Sequence, residues 1–302
     1  VVNNLKFRGS WGELGNQNTT NLYPYYQLLK FAANDANSHW LLNGMKPNTA
    51  NAPDLISTLL SWETMRSWNI GIDVGALQNR LTFSFDYFNR KTLDMVGPAP
   101  ELPVILGATV PKTNNADMES KGFELDIAWR DRIGKVDYGA HILLSDDRQR
   151  VTRYSNPTGT LNTWYEGQYS GEIWGYVTHG IAKTDEEMQD WLANHKQSFG
   201  NSWAAGDIMY EDLNGDGEVN EGSNTITDSG DKKIIGNSSP RYKFGIDLDA
   251  SWNGFDIRMF FQGVAKRDYW LGDNMFWGAS GGLWQSTCFT DHLDFFRSEG
   301  DD

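Results

Sequence analysis

Apolar and polar residues alternate strictly, one for one, along seven stretches of this chain. A period of two is the side-chain period of a strand and matches no helix. In Arg80–Asn89, Leu81, Phe83, Phe85 and Tyr87 fall on one face and Thr82, Ser84 and Asp86 on the other. Phe123, Leu125, Ile127 and Trp129 alternate with Glu124, Asp126 and Ala128; Phe244, Ile246, Leu248 and Ala250 alternate with Gly245, Asp247 and Asp249. Shorter rows obey the same rule: Leu5 and Phe7, then Ile70, Ile72 and Val74, then Tyr138 to Leu144, then Phe255 to Phe261. The connections alternate too. Gln78-Asn79, Asp131–Gly134 and Asn253-Gly254 are short, and Asn-Gly is the strongest hairpin signal. The spans Glu13–Ser61, Gly97–Asp117 and about Ser155–Ser239 are long. In an up-and-down antiparallel sheet this places every tight turn at one end and every long loop at the other.

That asymmetry predicts an all-β, antiparallel up-and-down transmembrane β-barrel segment, with short periplasmic turns and long extracellular loops. Tyr87, Phe88, Trp129, Trp252 and Phe255 stand near strand ends, where an interfacial girdle would need them. No stretch approaches the roughly 18 apolar residues of a membrane-spanning helix. The net charge of −14, from 26 Lys and Arg against 40 Asp and Glu, argues against a nucleic-acid binder, which needs a basic stripe for phosphates. One cysteine, Cys288, excludes an internal disulfide and a Cys-rich zinc site. Alternation alone fits a second fold equally well: a secreted, calcium-stabilised β-sandwich that binds glycans. In the barrel, Leu81, Phe83, Phe85, Phe123, Leu125 and Ile127 form an outward lipid-facing belt; in the sandwich they are pressed against another sheet.

One short helix is predicted inside the longest loop. Thr184 to Glu187 reads as a capping box, Met188, Trp191 and Leu192 come next at helical spacing, and the helix should end near His195. Further on, Asp212-Leu213-Asn214-Gly215-Asp216-Gly217-Glu218 matches the start of an EF-hand-type loop, with oxygen side chains at positions 1, 3 and 5 and Gly217 at the sharp turn. Asp212, Asn214, Asp216 and Glu218 are the expected ligands of Ca²⁺ (or Mg²⁺), with Glu218 offering its carbonyl. Ser223 stands where a bidentate Glu is expected, so Asp228 or Asp231 must close the site. Aromatic side chains crowd the loops. Trp164, Tyr165 and Trp174 in one cluster, and Trp277 and Trp284 in another, are the candidates for substrate or lid contact, because aromatic faces pack against sugar C–H faces and peptide side chains. Packing of the loops on themselves is the plainer use of the same residues. Glu166 and Glu172 lie among these aromatics, which resembles a sugar-cleaving cleft in composition only. No nucleophile elbow, phosphate loop or dinucleotide fingerprint is present, and no catalysis is expected.

Several segments resemble one family. Leu5–Gln17 (LKFRGSWGELGNQ), Trp62–Asp73 (WETMRSWNIGID), Asp86–Met95 (DYFNRKTLDM), Met118–Trp129 (MESKGFELDIAW), Glu172–Gly180 (EIWGYVTHG), Gly206–Gly217 (GDIMYEDLNGDG), Ile234–Gly245 (IIGNSSPRYKFG) and Gly254–Val264 (GFDIRMFFQGV), with the Pro-rich Pro98–Asn115, resemble the SusC/RagA-type TonB-dependent outer-membrane transporters, in that family's order. The resemblance implies part of a barrel of roughly 22 strands with a plug in its lumen. It implies import of oligosaccharides or peptides with a SusD-like surface lipoprotein as lid, coupling to TonB, and residence in the outer membrane of a Gram-negative bacterium. Residues 1–302 are expected to be a partial receptor-barrel domain, a late-barrel fragment without signal sequence, TonB box, plug or final strands.

Overall fold

A computed structural model of the chain describes residues 2–17, 60–97, 111–200 and 202–272, with parts of 26–56 and 289–297. Seven long strands dominate it: β1 (Val2–Asn16), β2 (Glu63–Ala76), β3 (Leu81–Val96), β4 (Asn114–Ile133), β5 (Val136–Tyr154), β6 (Arg241–Trp252) and β7 (Phe255–Lys266). They form one sheet in which every strand pairs antiparallel with its neighbour in sequence. The sheet does not close: β1 and β7 are its two edges.

The short turns fall as expected, with one shift. Leu77, Gln78 and Asn79 all take positive φ between β2 and β3. Asn253 and Gly254, at φ 54° and 90°, supply the two left-handed residues that a two-residue hairpin of matching twist requires. The turn between β4 and β5 is Gly134-Lys135 rather than Asp131–Gly134, because Asp131 to Ile133 stay paired to β5.

Register decides the faces, since residues directly opposite in an antiparallel pair share one. Phe7 opposes Ile72, Ile72 opposes Phe85, Phe85 opposes Leu125, and Leu125 opposes Leu144. Leu144 opposes Phe244, and one row along, Ile246 opposes both Ile142 and Phe261. Leu81, Phe83, Phe85, Phe123, Leu125 and Ile127 therefore belong to one continuous apolar face, on which the Phe85 and Phe123 rings stack 6.2 Å apart. At the sheet edges this face lies open, with Phe7 74% and Ile257 58% exposed. Among the described residues the other sheets are all two-stranded, and the seven-stranded sheet has the up-and-down order expected of the barrel segment rather than of a sandwich. Trp11, Trp68 and Tyr87 border the apolar face toward the long loops. Trp129, Tyr138, Trp252 and Phe255 border it toward the turns.

The opposite face is polar and laced with ion pairs. Arg8 bridges Asp73 and Asp86 at 2.8 and 2.7 Å, His141 meets Asp126 at 2.9 Å, and Arg258 bonds Asp247. Strands of 12 to 20 residues exceed the about ten needed to cross a bilayer. The excess lies on the long-loop side, where polar ladders such as Arg153 with Asp117 (2.7 Å) and Asp94 (2.9 Å) carry the pairing onward.

Candidate functional site

The connection from β5 to β6 folds into a unit of its own on the loop end of the sheet. Residues 167–170 first pair with the β5 backbone, with Gln149 and Val151 exchanging hydrogen bonds of 2.9 Å. Beneath them Ala116, Val151 and Tyr154 are buried, and Trp164 packs edge-on to Tyr154 at 6.1 Å. Glu172–Tyr176 then pairs antiparallel with Lys232–Asn237, and Thr178–Ile181 with Ile208–Tyr210.

The helix, α1, spans Asp185–Leu192. The Thr184 hydroxyl accepts from Glu187 N at 3.2 Å. Glu187 reaches back one residue further than a capping box requires, accepting from Lys183 N at 2.7 Å. The helix stops at Leu192, short of the expected His195; His195 N still bonds Trp191 O at 3.0 Å. Its buried side packs Met188 against Ala182 and Met209, with Trp191, Leu192 and Trp203 around them. Tyr176 stacks on Phe199 at 4.4 Å, and Phe199 meets Tyr210 at 5.2 Å and Trp203 at 5.8 Å. Aromatic pairs of this kind add about 0.5–1.5 kcal/mol each beyond their area burial.

The acidic loop is closed by Asp231, not Asp228. Asp231 is fully buried; its Oδ1 accepts from Leu213 N (2.7 Å) and Asn214 N (3.3 Å), and its Oδ2 from Asn220 N (2.8 Å). Asp228 instead serves its own turn, accepting from Ser223 N at 2.9 Å. Asp212 accepts from Gly215 N (2.6 Å) and Gly217 N (2.7 Å), Asn214 from Asp216 N (2.9 Å), and Asp216 from Glu218 N (2.8 Å). The Glu218 carboxylate turns away to Lys196 (3.2 Å) and Ser198. Partial burial raises the Asp212 pKa, but the Gly217 and Gly215 amides outweigh it and hold the carboxyl below its ordinary value. Among the described residues no three His, Cys, Asp or Glu converge as a metal cluster. Along the arc Asp212–Asn214–Asp216 the Asn214 amide also donates to Asp216 Oδ2 at 3.0 Å, so both Asp216 oxygens accept within the loop.

The aromatic candidates separate. Tyr165 is buried and donates to Glu172, and burial followed by that carboxylate pushes its pKa up to about 12. Trp164 and Trp174 are half-buried within the same unit. Trp277 and Trp284 lie outside the described residues. Glu172 is spent on Tyr165 and on Tyr169 N (2.8 Å). The sequence reading missed a stack in which Trp191 is sandwiched between His179 (4.3 Å) and His195 (3.9 Å). The spacing of Trp191 and His195, four apart across the end of the helix, was the available signal. It also missed Phe199 and Trp203 as the centre of the loop's aromatic packing.

Comparison with known proteins gives a consistent result. The profile of the family described as TonB dependent receptor-like, beta-barrel matches residues 1–171. TonB-dependent receptor P3 of Formosa agariphila is 27% identical over 277 residues, covering 87% of this chain and 26% of that protein. TonB-dependent receptor SusC of Bacteroides thetaiotaomicron is 26% identical over 263 residues, covering 85% and 24%. Among solved structures, the RagAB peptide transporter superposes with a TM-score of 0.60 at 22% identity, over 86% of this chain and 26% of that one. The chain thus spans about a quarter of the length of the curated relatives it matches.

Proposed function

The chain belongs to the TonB dependent receptor-like β-barrel family, and from that membership we propose that it forms part of the wall and outer loops of an energised importer in the outer membrane of a Gram-negative bacterium. The observation that carries this reading is the registered sheet: one apolar face bounded by aromatic rows, one charged face, and all long loops at one end. Lipid meets the apolar face, and the ion-paired face lines a wet interior. The cargo is an oligosaccharide, with peptide as the second reading, since one structural neighbour is a peptide transporter. A SusD-like surface lipoprotein serves as lid, and TonB supplies the energy. No bond is made or broken; Trp164, Tyr165, Trp174, Trp277 and Trp284 are the proposed contacts to cargo or lid. The test is uptake. Cells lacking the gene should lose import of a labelled oligosaccharide, and an uncoupler should abolish import in the parent strain. Unchanged import of both oligosaccharides and peptides in the deletion strain would end the proposal.

Calcium (or magnesium) at Asp212, Asn214, Asp216 and Glu218, with Asp231 holding the loop shut, extends it. The cation would rigidify the loop beside Tyr210. Because the folded Asp212 pKa is depressed, the stability from the loop's hydrogen bonds is fully present above the ordinary aspartate value of about 3.9 and is lost as the pH falls through the lower folded value. Protection of the Gly215 and Gly217 amides against hydrogen exchange, taken relative to an unstructured amide at the same pH, should therefore be high at neutral pH, higher with calcium, and lost in acid whether or not calcium is added. Exchange rates indifferent to calcium at neutral pH would remove the cation from the account.

A further inference from the structure

The apolar face ends abruptly on the long-loop side, and the outer surface beyond that edge is basic. Directly above the Ile70–Tyr87–Phe123 row, register places Trp11, Trp68, Asn89, Lys121 and Arg148 on the same outward face. The next outward row is Glu13, Arg66, Lys91, Glu119 and Arg150. At about 3.3 Å of rise per residue, the two rows stand roughly 7 and 13 Å along the strands beyond the last continuous apolar row. The acids in these rows are fewer than the cations and already engaged. Glu13 holds Arg66, and Glu119 is shared between Lys121 (2.9 Å) and Lys91 (3.7 Å). Arg148 and Arg150 lie 5.4 and 6.0 Å over the Tyr169 ring. The acid below Arg148 on the same face, Asp146, feels its charge but is bonded to Arg241. A basic surplus at this one place is unexpected in a chain of net charge −14.

Beside Arg148 the wall opens. β5 continues to Tyr154, whereas β6 joins it only from Lys243, opposite Ser145. The notch between them is a cavity of about 480 Å³ lined by Arg148, Tyr169, Tyr242, Lys266 and Arg241, the last already bonded to Asp146. Its acids are occupied: Asp147 with Lys243 (3.0 Å), Asp268 with Asn237 N (2.7 Å), and Glu172 with Tyr165 and Tyr169 N.

We infer that this basic rim and notch bind the phosphorylated headgroup of an outer-leaflet lipid, whose acyl chains lie along the apolar face below. Trp11, Trp68 and Tyr87 place the rim at headgroup depth. Two guanidinium groups held open by an aromatic ring match the oxygens of a phosphate, which an isolated lysine would meet only as a point charge. The inference rests on the apolar face being in lipid.

The test uses the full-length protein in detergent, titrated with bisphosphorylated lipid A and with its dephosphorylated form, and read by native mass spectrometry. The phosphorylated lipid should bind at least about tenfold more tightly, and Arg148→Glu with Arg150→Glu should remove that preference while leaving the dephosphorylated lipid unaffected. Arg148→Lys with Arg150→Lys, which keeps both charges, should retain most of it. Inorganic phosphate in millimolar excess should not displace the lipid. Equal binding of the two lipids, an undiminished preference in the double Glu variant, or displacement by free phosphate overturns the inference. If the face is not in lipid at all, neither lipid binds, which is a failure of the transporter reading and is distinguished by that pattern.

Discussion

Leu125→Arg is expected to abolish assembly of the protein into the membrane. Leu125 stands in the middle of the apolar face, opposite Phe85 on β3 and Leu144 on β5. A guanidinium there must either enter hydrocarbon or drag water to itself, at a cost of about 2–4 kcal/mol near the bilayer midplane. That is a large part of the about 5–15 kcal/mol by which folded proteins are stable, and it falls on a strand at the centre of the sheet. The measurement is the amount of full-length protein in the outer-membrane fraction, together with its resistance to unfolding in cold detergent. Glu124→Arg is the matched control. It is one residue away, on the charged face opposite Asp86, and should assemble normally because it exchanges one solvated charge for another. Normal assembly of Leu125→Arg would mean that this face does not meet lipid, and the transporter reading would fall with it.

Asp231→Ala is expected to untie the loop unit while leaving the sheet intact. The buried carboxylate satisfies three backbone N–H groups, those of Leu213, Asn214 and Asn220, on the two arms of the acidic loop. A fully buried donor left without a partner costs roughly 1–3 kcal/mol; these three are part-buried and can turn in part to water, so the loss is on the order of 2 kcal/mol, concentrated in one element. Val219, fully buried between those arms, loses its position as well. Asp231→Asn should be only partly better, since one carboxylate oxygen becomes an NH₂ group that faces donors. Limited proteolysis reads the effect directly: cleavage within 211–232 should rise steeply, while the strands remain protected. Unchanged proteolysis would show that Asp231 does not hold the loop, leaving the short parallel pairing of Lys196-Gln197 with Glu218-Val219 to do so.

Both expectations depend on facts of different kinds, and the difference tracks what could be read from the chain. The period of two follows from strand geometry residue by residue, so the two faces, the turns at Gln78-Asn79 and Asn253-Gly254 and the sidedness of the loops were legible in the residues themselves. Thr184 and Glu187 likewise announced a helix from local spacing. The segments that match the family added its identity, which no alternation could supply.

What lay beyond the sequence is every contact whose partners are far apart along the chain. Asp228 and Asp231 are the same residue type three positions apart, and only the return of the chain through Asn220 selects Asp231 to close the loop. Tyr176, Phe199 and Tyr210 pack as one cluster because two ladders bring them together, and nothing in their spacing foretells it. The basic rim is of the same kind: Lys121 and Arg148 are adjacent only because β4 and β5 pair in one particular register, and a slip of a single residue would send one of them to the interior. Local backbone geometry is written in neighbouring residues, whereas register and loop closure are settled by the free energy of the whole sheet, and so the faces of this protein were readable and its sites were not.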